Sequence, residues 1–286
     1  MISVGLARAA LYLGWTLVCI PVQFALLAAG RRARHAFPQF YHRIVLRMIG
    51  LNLDVRGRAC RHHPCLYVCN HTSYLDIAIL GALIRGSFVA KAEVGTWPFF
   101  GLLAKLQRTV FVDRRRTRIG QHMDAVSERL QAGEQLILFP EGTTGDGNRI
   151  LPFKSALFAS AQNQVGGREV TVQPVSLSYT RFSNLPMDRE MRPLYAWYGD
   201  MDLLPHMWEM LKAGVVTVVV QFHPATTITA AGGNRRSLAR HCEDTIREGH
   251  ALALAGRLPP RRRRRRLRKL TGRSGESRPE GGARSH

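Results

Sequence analysis

Acidic side chains are scarce in this chain of 286 residues, where 20 Asp and Glu stand against 41 Lys and Arg, a formal +21. That balance favours polyanions, either nucleic acid or an anionic membrane surface. Cysteine is also sparse: Cys19, Cys60, Cys65, Cys69 and Cys242 form an odd, scattered set. Such a set makes no disulfide framework and points to a reducing compartment. Cys60, His62, His63 and Cys65 crowd together and invite a zinc reading, but no second ligand pair of matching spacing follows. Cys65 and Cys69 fall on one face of a strand, where thiols serve as small core residues. No internal repeat is evident.

Charge itself is missing from Ala9 to Gly30. At 1.5 Å per residue this stretch spans roughly 33 Å as a helix, just enough to cross a bilayer core. Pro21 and Gln23 interrupt it, so a kinked or half-inserted helix competes with a straight span. Arg31, Arg32, Arg34, Arg43 and Arg47 follow the run and only Arg8 precedes it. The positive-inside rule then puts the body on the cytoplasmic side of the inner membrane. A cleaved signal peptide ending at Ala28-Ala29-Gly30 is the alternative, opposed by the weak positive charge before the run and by the free thiols.

What is present divides the chain into three. Residues 1–56 read as a membrane anchor followed by an interfacial helix over Phe37–Leu53. Residues 57–256 are long enough for a sizeable core. Residues 257–286 carry eleven Arg and one Lys against two Glu, and are rich in Gly, Ser and Pro. This tail is expected to be disordered and, beside a membrane anchor, to bind anionic lipid headgroups rather than nucleic acid.

Within the body, strand-length apolar runs recur at Leu66–Cys69, Phe88–Ala90, Thr109–Val112, Gln135–Phe139, Thr171–Leu177 and Val215–Phe222. Helix-like stretches at Ile77–Ile84, Ile119–Ala132 and Ser155–Gln164 separate several of them. The alternation predicts an α/β fold, a mostly parallel sheet covered by helices on both faces. Ligands in such folds gather beyond the strand carboxyl ends.

Two polar clusters sit at such ends. Asn70-His71-Thr72-Ser73-Tyr74-Leu75-Asp76 pairs an imidazole with a carboxylate, the equipment for turning a hydroxyl into a nucleophile. Ser73 to Asp76 also reads as a capping box, which would make Asp76 an ordinary helix-start residue. The two readings are compatible only if His71 lies outside the helix, because a five-residue separation within one helix sets side chains about 140° apart. The second cluster, Phe139-Pro140-Glu141-Gly142-Thr143-Thr144, continues through Gly145-Asp146-Gly147 as a loop in which backbone N–H groups can approach a ligand oxygen. Asp200, Asp202 and His206 make a third polar group, for which an N-cap at Asp202 is the simpler account.

The first two clusters, in this order, resemble those of the glycerolipid acyltransferase family, which contains the 1-acylglycerol-3-phosphate acyltransferases. Lys91-Ala92-Glu93 with Pro98 and Gly101, Val110 to Arg114, and Val172 to Val175 resemble the family's lesser blocks. The resemblance implies that His71 is the general base on a lysolipid hydroxyl and that Asp76 fixes its tautomer. Glu141, Gly142, Thr143 and Thr144 would line the acceptor pocket, with Lys91, Arg114 and Arg149 holding anionic groups. Acyl-CoA or acyl-carrier protein would be the co-substrate. No metal or other cofactor is implied, and with no Gly-x-Ser-x-Gly elbow no acyl-enzyme is expected. Thr144 stands where the family usually has Arg, and Ala156 where it usually has Gly. Both departures are similar to the bacterial branch that includes lyso-ornithine lipid acyltransferases, whose zwitterionic acceptor needs no phosphate clamp. The rival from another class is a non-catalytic membrane protein that binds anionic lipid or nucleic acid.

Overall fold

The computed structural model describes residues 2–28, 30–62, 64–112 and 119–259. His63, Asp113, Arg114 and the arginine run 261–266 lie outside the described residues. The chain opens with helices α1 (Ile2–Leu27) and α2 (Arg31–Met48). Strand β1 (Leu51–Arg56) follows, then β2 (Cys65–Cys69), α3 (Leu75–Leu83), β3 (Ser87–Lys91), α4 (Phe100–Leu106), β4 (Val110–Val112), α5 (Ile119–Gln131) and β5 (Gln135–Leu138). A loop and a 3-10 stretch (Ser155–Gln162) lead to the short hairpin β6 (Gln164–Val165) and β7 (Arg168–Glu169). The long β8 (Thr171–Phe182), β9 (Leu185–Pro186), α6 (Leu203–Lys212), β10 (Val216–Phe222) and α7 (Arg235–Leu254) complete it.

The main sheet runs β1-β10-β8-β2-β5-β3-β4, with β9 added beside β8. Every pairing from β8 through β4 is parallel, while β10 runs antiparallel to β8 and carries β1 parallel to itself. Alternation along the strands feeds two cores. Cys65, Tyr67, Cys69, Ile137, Val175, Leu177 and Tyr179 share a core with Leu75, Ile79 and Leu80 of α3. Leu66, Val68, Leu136, Leu138 and Val172 face Val126 and Leu130 of α5 and Leu238, Cys242 and Ile246 of α7. A strand buried on both sides needs an apolar residue at every position, which is why β2 and β5 are legible as continuous runs.

Three expectations need correction. The helix expected over Phe37–Leu53 ends at Met48; Gly50, at φ +77°, turns the chain into β1 at the edge of the sheet. A side chain at that position would be strained and would press on the Arg8 guanidinium. So residues 51–56, grouped with the anchor, belong to the body's sheet. The Ser155–Gln164 stretch is 3-10 over Ser155–Gln162 rather than a regular α-helix. Asp202 precedes α6 as expected but makes no side-chain capping bond.

Helix α1 is the one described helix long and apolar enough to cross a membrane. It is not free on all sides. The Arg8 guanidinium donates to Ala213 O (2.6 Å) and Leu211 O (3.2 Å), and Gly5 lies against Trp208 of α6. Leu6, Leu13, Leu17 and Phe24 form an opposite, exposed apolar face.

Candidate active site

The first polar cluster begins where β2 stops. The Asn70 amide donates to Leu177 O (2.9 Å) and accepts from Leu177 N (2.8 Å), carrying the β2–β8 ladder one step further with a side chain. The chain then leaves the sheet, which places His71 outside α3 and lets Asp76 reach back from the first turn. Asp76 Oδ2 accepts from His71 Nδ1 (2.9 Å), Thr72 N (2.7 Å) and Ser73 N (2.9 Å), while Oδ1 accepts from the Tyr179 hydroxyl (2.8 Å). Asp76 thus fastens the segment before α3 through Thr72 N and Ser73 N, as the carboxylate of a capping box would, and orients the imidazole, although the helix start itself has no side-chain cap.

The chemistry follows from the inventory of donors. Every partner of the fully buried Asp76 carboxylate is a donor, so Nδ1 carries the proton and Nε2 the lone pair. Nε2 has no partner among the described residues, and the His71 side chain keeps 18% of its surface exposed. The ring lies flat on Phe139, with centroids 3.9 Å apart, and Phe88 stacks behind at 6.2 Å. An imidazole fixed in tautomer and plane, and open at one nitrogen, is equipped to accept a proton.

The second cluster wraps round the first. Glu141 is buried; its Oε1 accepts from His71 N (2.8 Å) and its Oε2 from Leu151 N (3.1 Å). Burial pushes its carboxyl up to about 8, with the two N–H donors working in the opposite direction. Gly145 N donates to His71 O (2.9 Å), so the loop clasps the histidine from both of its backbone groups. Both Glu141 oxygens are therefore engaged in holding this loop against His71. Gly142 is buried beside it, Thr143 is exposed and Thr144 half-buried. Asp146 Oδ1 accepts from Asn148 N and Arg149 N, leaving the Arg149 side chain exposed. Gly147 stands at φ +77° with Thr72 close by, so a Cβ there would be strained and within 3.1 Å of the Thr72 methyl. Lys91 is exposed at the carboxyl end of β3, the same edge of the sheet. Of the expected site residues only Arg114 cannot be placed, being outside the described residues.

Two residues at this edge were not anticipated. Tyr179 donates to the dyad carboxylate from β8, and its only signal is a phenol in a strand otherwise filled by smaller side chains. Arg192 donates to Asn148 Oδ1 (2.7 Å) and Met187 O (3.0 Å), fastening the glycine-rich loop. His206, of the third polar group, pairs through Nδ1 with the Tyr74 hydroxyl at 3.2 Å.

Beside the dyad lies a largely apolar cavity of about 250 Å³ between the α1–α2 pair and the body. Tyr74, Leu75, Ala78, Phe88, Leu103 and Met207 are among its lining residues. Tyr74 and Leu75 belong to the dyad segment, and Phe88 is the ring stacked behind Phe139. A slot of this kind suits a hydrocarbon chain.

Fold and site together define an α/β group-transfer enzyme with a His–Asp pair at the carboxyl edge of its sheet and an apolar slot beside it. The chain belongs to the acyltransferase family: residues 52–178 match the family model described as Acyltransferase. It is 43% identical over 249 residues to the lyso-ornithine lipid O-acyltransferase of Brucella abortus (strain 2308), covering 86% of this chain and 93% of that one. It is 34% identical over 206 residues to the 1-acyl-sn-glycerol-3-phosphate acyltransferase of Neisseria meningitidis serogroup B, covering 71% and 76%. The crystal structure of the 1-acyl-sn-glycerophosphate acyltransferase from Thermotoga maritima shares the fold, with a TM-score of 0.63 at 19% identity over 91% of this chain and 100% of that one. The non-catalytic reading is set aside.

Proposed function

We propose that this protein is a lysolipid O-acyltransferase of membrane lipid biosynthesis, moving a fatty acyl group from acyl-carrier protein or acyl-CoA to a lysolipid hydroxyl. The observation that carries the reading is the His71–Asp76 hydrogen bond, with Nε2 left open. Nε2 takes the proton of the acceptor hydroxyl as its oxygen attacks the thioester carbonyl. The tetrahedral adduct collapses, the C–S bond breaks, and the imidazolium returns its proton to the departing thiolate. Asp76 stabilises the imidazolium, and Glu141 holds the histidine backbone in place. The apolar cavity takes the acyl chain. These steps call on no metal or redox group. Gly142, Thr143, Thr144, Arg149 and Lys91 border the acceptor's headgroup, with Arg114 as a further anion-holding candidate.

The favoured acceptor is lyso-ornithine lipid. Thr144, in place of an arginine, supports a zwitterionic headgroup over a phosphate, and the relatives of higher identity carry that name. Purified protein offered lyso-ornithine lipid and 1-acylglycerol-3-phosphate side by side tests this. Faster acylation of the phosphate acceptor would overturn the preference.

The exposed apolar face of α1, beside a face docked on α6, supports insertion into one leaflet, and the arginines that follow the apolar run, Arg31 to Arg47 against Arg8 alone before it, support a body on the cytoplasmic side of the inner membrane. The tail 257–286 adds an electrostatic hold on anionic lipid. Vesicle binding in rising salt, compared with a chain trimmed of residues 257–286, checks this; equal retention would contradict it.

A further inference from the structure

All five cysteines are free thiols, and one pair among them stands apart from the rest. Residues 57–64 cross from β1 to β2, turning at Gly57 (φ +73°) against the Phe222 carbonyl. The crossover joins the amino end of β2, the edge of the sheet opposite His71. It is pinned there through Cys60, whose N–H donates to Gln173 Oε1 (2.7 Å) and whose carbonyl accepts from the Tyr67 hydroxyl (3.1 Å). Gln173 Nε2 donates in turn to Arg58 O (3.0 Å). Cys60 therefore packs on the core that holds Cys65 and Tyr67, two residues on one face of β2.

The two sulfurs meet. The Cys65 thiol donates to the Cys60 sulfur, which also accepts from His62 N (3.4 Å). Cys60 is half-buried, whereas Cys65 is wholly buried behind it. The bond from Cys65 first, and the His62 N–H after it, pull the Cys60 thiol down to about 6 against the effect of burial. Near pH 7 Cys60 is thus mostly thiolate, the nucleophilic form. Cys69 and Cys242 are buried without such a neighbour, and burial pushes Cys242 up to about 12. One sulfur that solvent reaches, with a second in contact behind it, is the arrangement that reversible thiol oxidation uses.

We propose that Cys60 and Cys65 form a peroxide-reactive thiol pair, Cys60 attacking and Cys65 resolving, that closes reversibly into a disulfide. The Cys60 thiolate attacks hydrogen peroxide; an S–O bond forms, the O–O bond breaks and hydroxide leaves. The Cys65 sulfur then attacks Cys60, and its proton passes to the hydroxide expelled as the S–O bond breaks. Two thiols and one peroxide become one disulfide and two waters, the sulfurs oxidised and the peroxide oxygens reduced. A thiol reductant reverses the closure by exchange. The bridge ties the crossover to the first residue of β2, about 13 Å from the last residue of that strand at 3.3 Å per residue. The pair is thus remote from the dyad and does not depend on the acyl-transfer reading.

The test treats the folded, full-length protein with hydrogen peroxide, unfolds it in excess alkylating reagent and maps the peptides by mass spectrometry. Cys60 and Cys65 are expected joined to each other, with Cys69 and Cys242 alkylated, and dithiothreitol should return the pair to the alkylated form. In Cys65→Ser, Cys60 should instead be trapped as sulfenic acid by a cyclic 1,3-diketone and pass on to sulfinic acid. A second readout needs no oxidant and no turnover. Alkylation of Cys60 in the folded wild-type protein should reach half its maximal rate near pH 6, and Cys65→Ser should move that midpoint upward. At pH 7 Cys60 should react about tenfold faster than Cys242, or more. Wild-type Cys60 left alkylatable after peroxide, carried to stable sulfinic acid, or bridged to any cysteine other than Cys65 would overturn the proposal.

Discussion

Two buried carboxylates occupy opposite edges of the same sheet, and their partners differ in kind. Asp76, beyond the carboxyl end of β2, is held by two backbone N–H groups, a phenol and an imidazole that remains open on its other nitrogen. Glu134, just before β5, is closed between two guanidiniums: Arg108 at 2.9 Å and Arg129 at 2.5 Å. Arg129 also reaches Ser87 at the start of β3, and Arg108 reaches His35 of α2, so this cluster ties helices to strand starts. The Glu134 charge is spent inside the fold. The Asp76 charge is arranged to act through a neighbour on a group that comes from outside. A carboxylate's surroundings, more than its burial, separate the structural from the chemical.

Substitutions on the two sides should therefore fail in different ways. The largest effect is expected for His71→Ala, which should lower acyl transfer by about 10²–10⁴ while leaving the thermal transition in place. Glu134→Gln should do the reverse. Leaving a buried acceptor poorly matched to its donors should cost about 1–3 kcal/mol of stability, read by thermal or denaturant unfolding, with turnover retained at permissive temperature. A large loss of turnover in folded Glu134→Gln protein would break the distinction.

A smaller effect lies in the pH dependence of stability. For Glu134, burial acts to raise the pKa, but Arg129 and Arg108 outweigh it and hold the group below 4.5. A depressed carboxyl contributes stability that is present above its unfolded value and lost as pH falls through the folded one, so Glu134 should weaken the fold in acid. Glu141, raised to about 8 chiefly by burial, has the opposite sign. Its contribution is complete below about 4.5 and declines as pH rises towards 8. Unfolding measured across pH should show a shallower acid-side decline in Glu134→Gln, with the Asp146 contribution remaining, and a flatter profile between those two values in Glu141→Gln. Unchanged profiles would contradict the assignment.

How far this organisation was legible depends on whether its cause was local. β2 and β5 announce themselves because both faces are covered, and the dyad because a histidine, a cap and a carboxylate fall within one turn of chain. β1 was absorbed into the preceding helix although Leu51-Asn52-Leu53-Asp54-Val55-Arg56 alternates as a strand should; the helical spacing upstream ran into it without a break. Helix α7 is hard to read because charged residues interrupt its apolar pattern, and its buried face, Leu238, Ala239, Cys242, Ile246, Gly249, His250 and Ala253, mixes small and polar side chains with the large apolar ones. Tyr179, the Glu134 cluster and the cavity arise from segments far apart in the chain, which a linear reading does not bring together.

The central claim is that His71 and Asp76 act as one unit. A double-mutant cycle tests it most directly, with release of free thiol from the acyl donor measured for His71→Ala, Asp76→Ala and the double variant. If Asp76 works only through His71, the double variant should be no slower than His71→Ala alone, a clear failure of additivity. Losses that multiply, with each substitution slowing the reaction by its own full factor, would contradict the dyad.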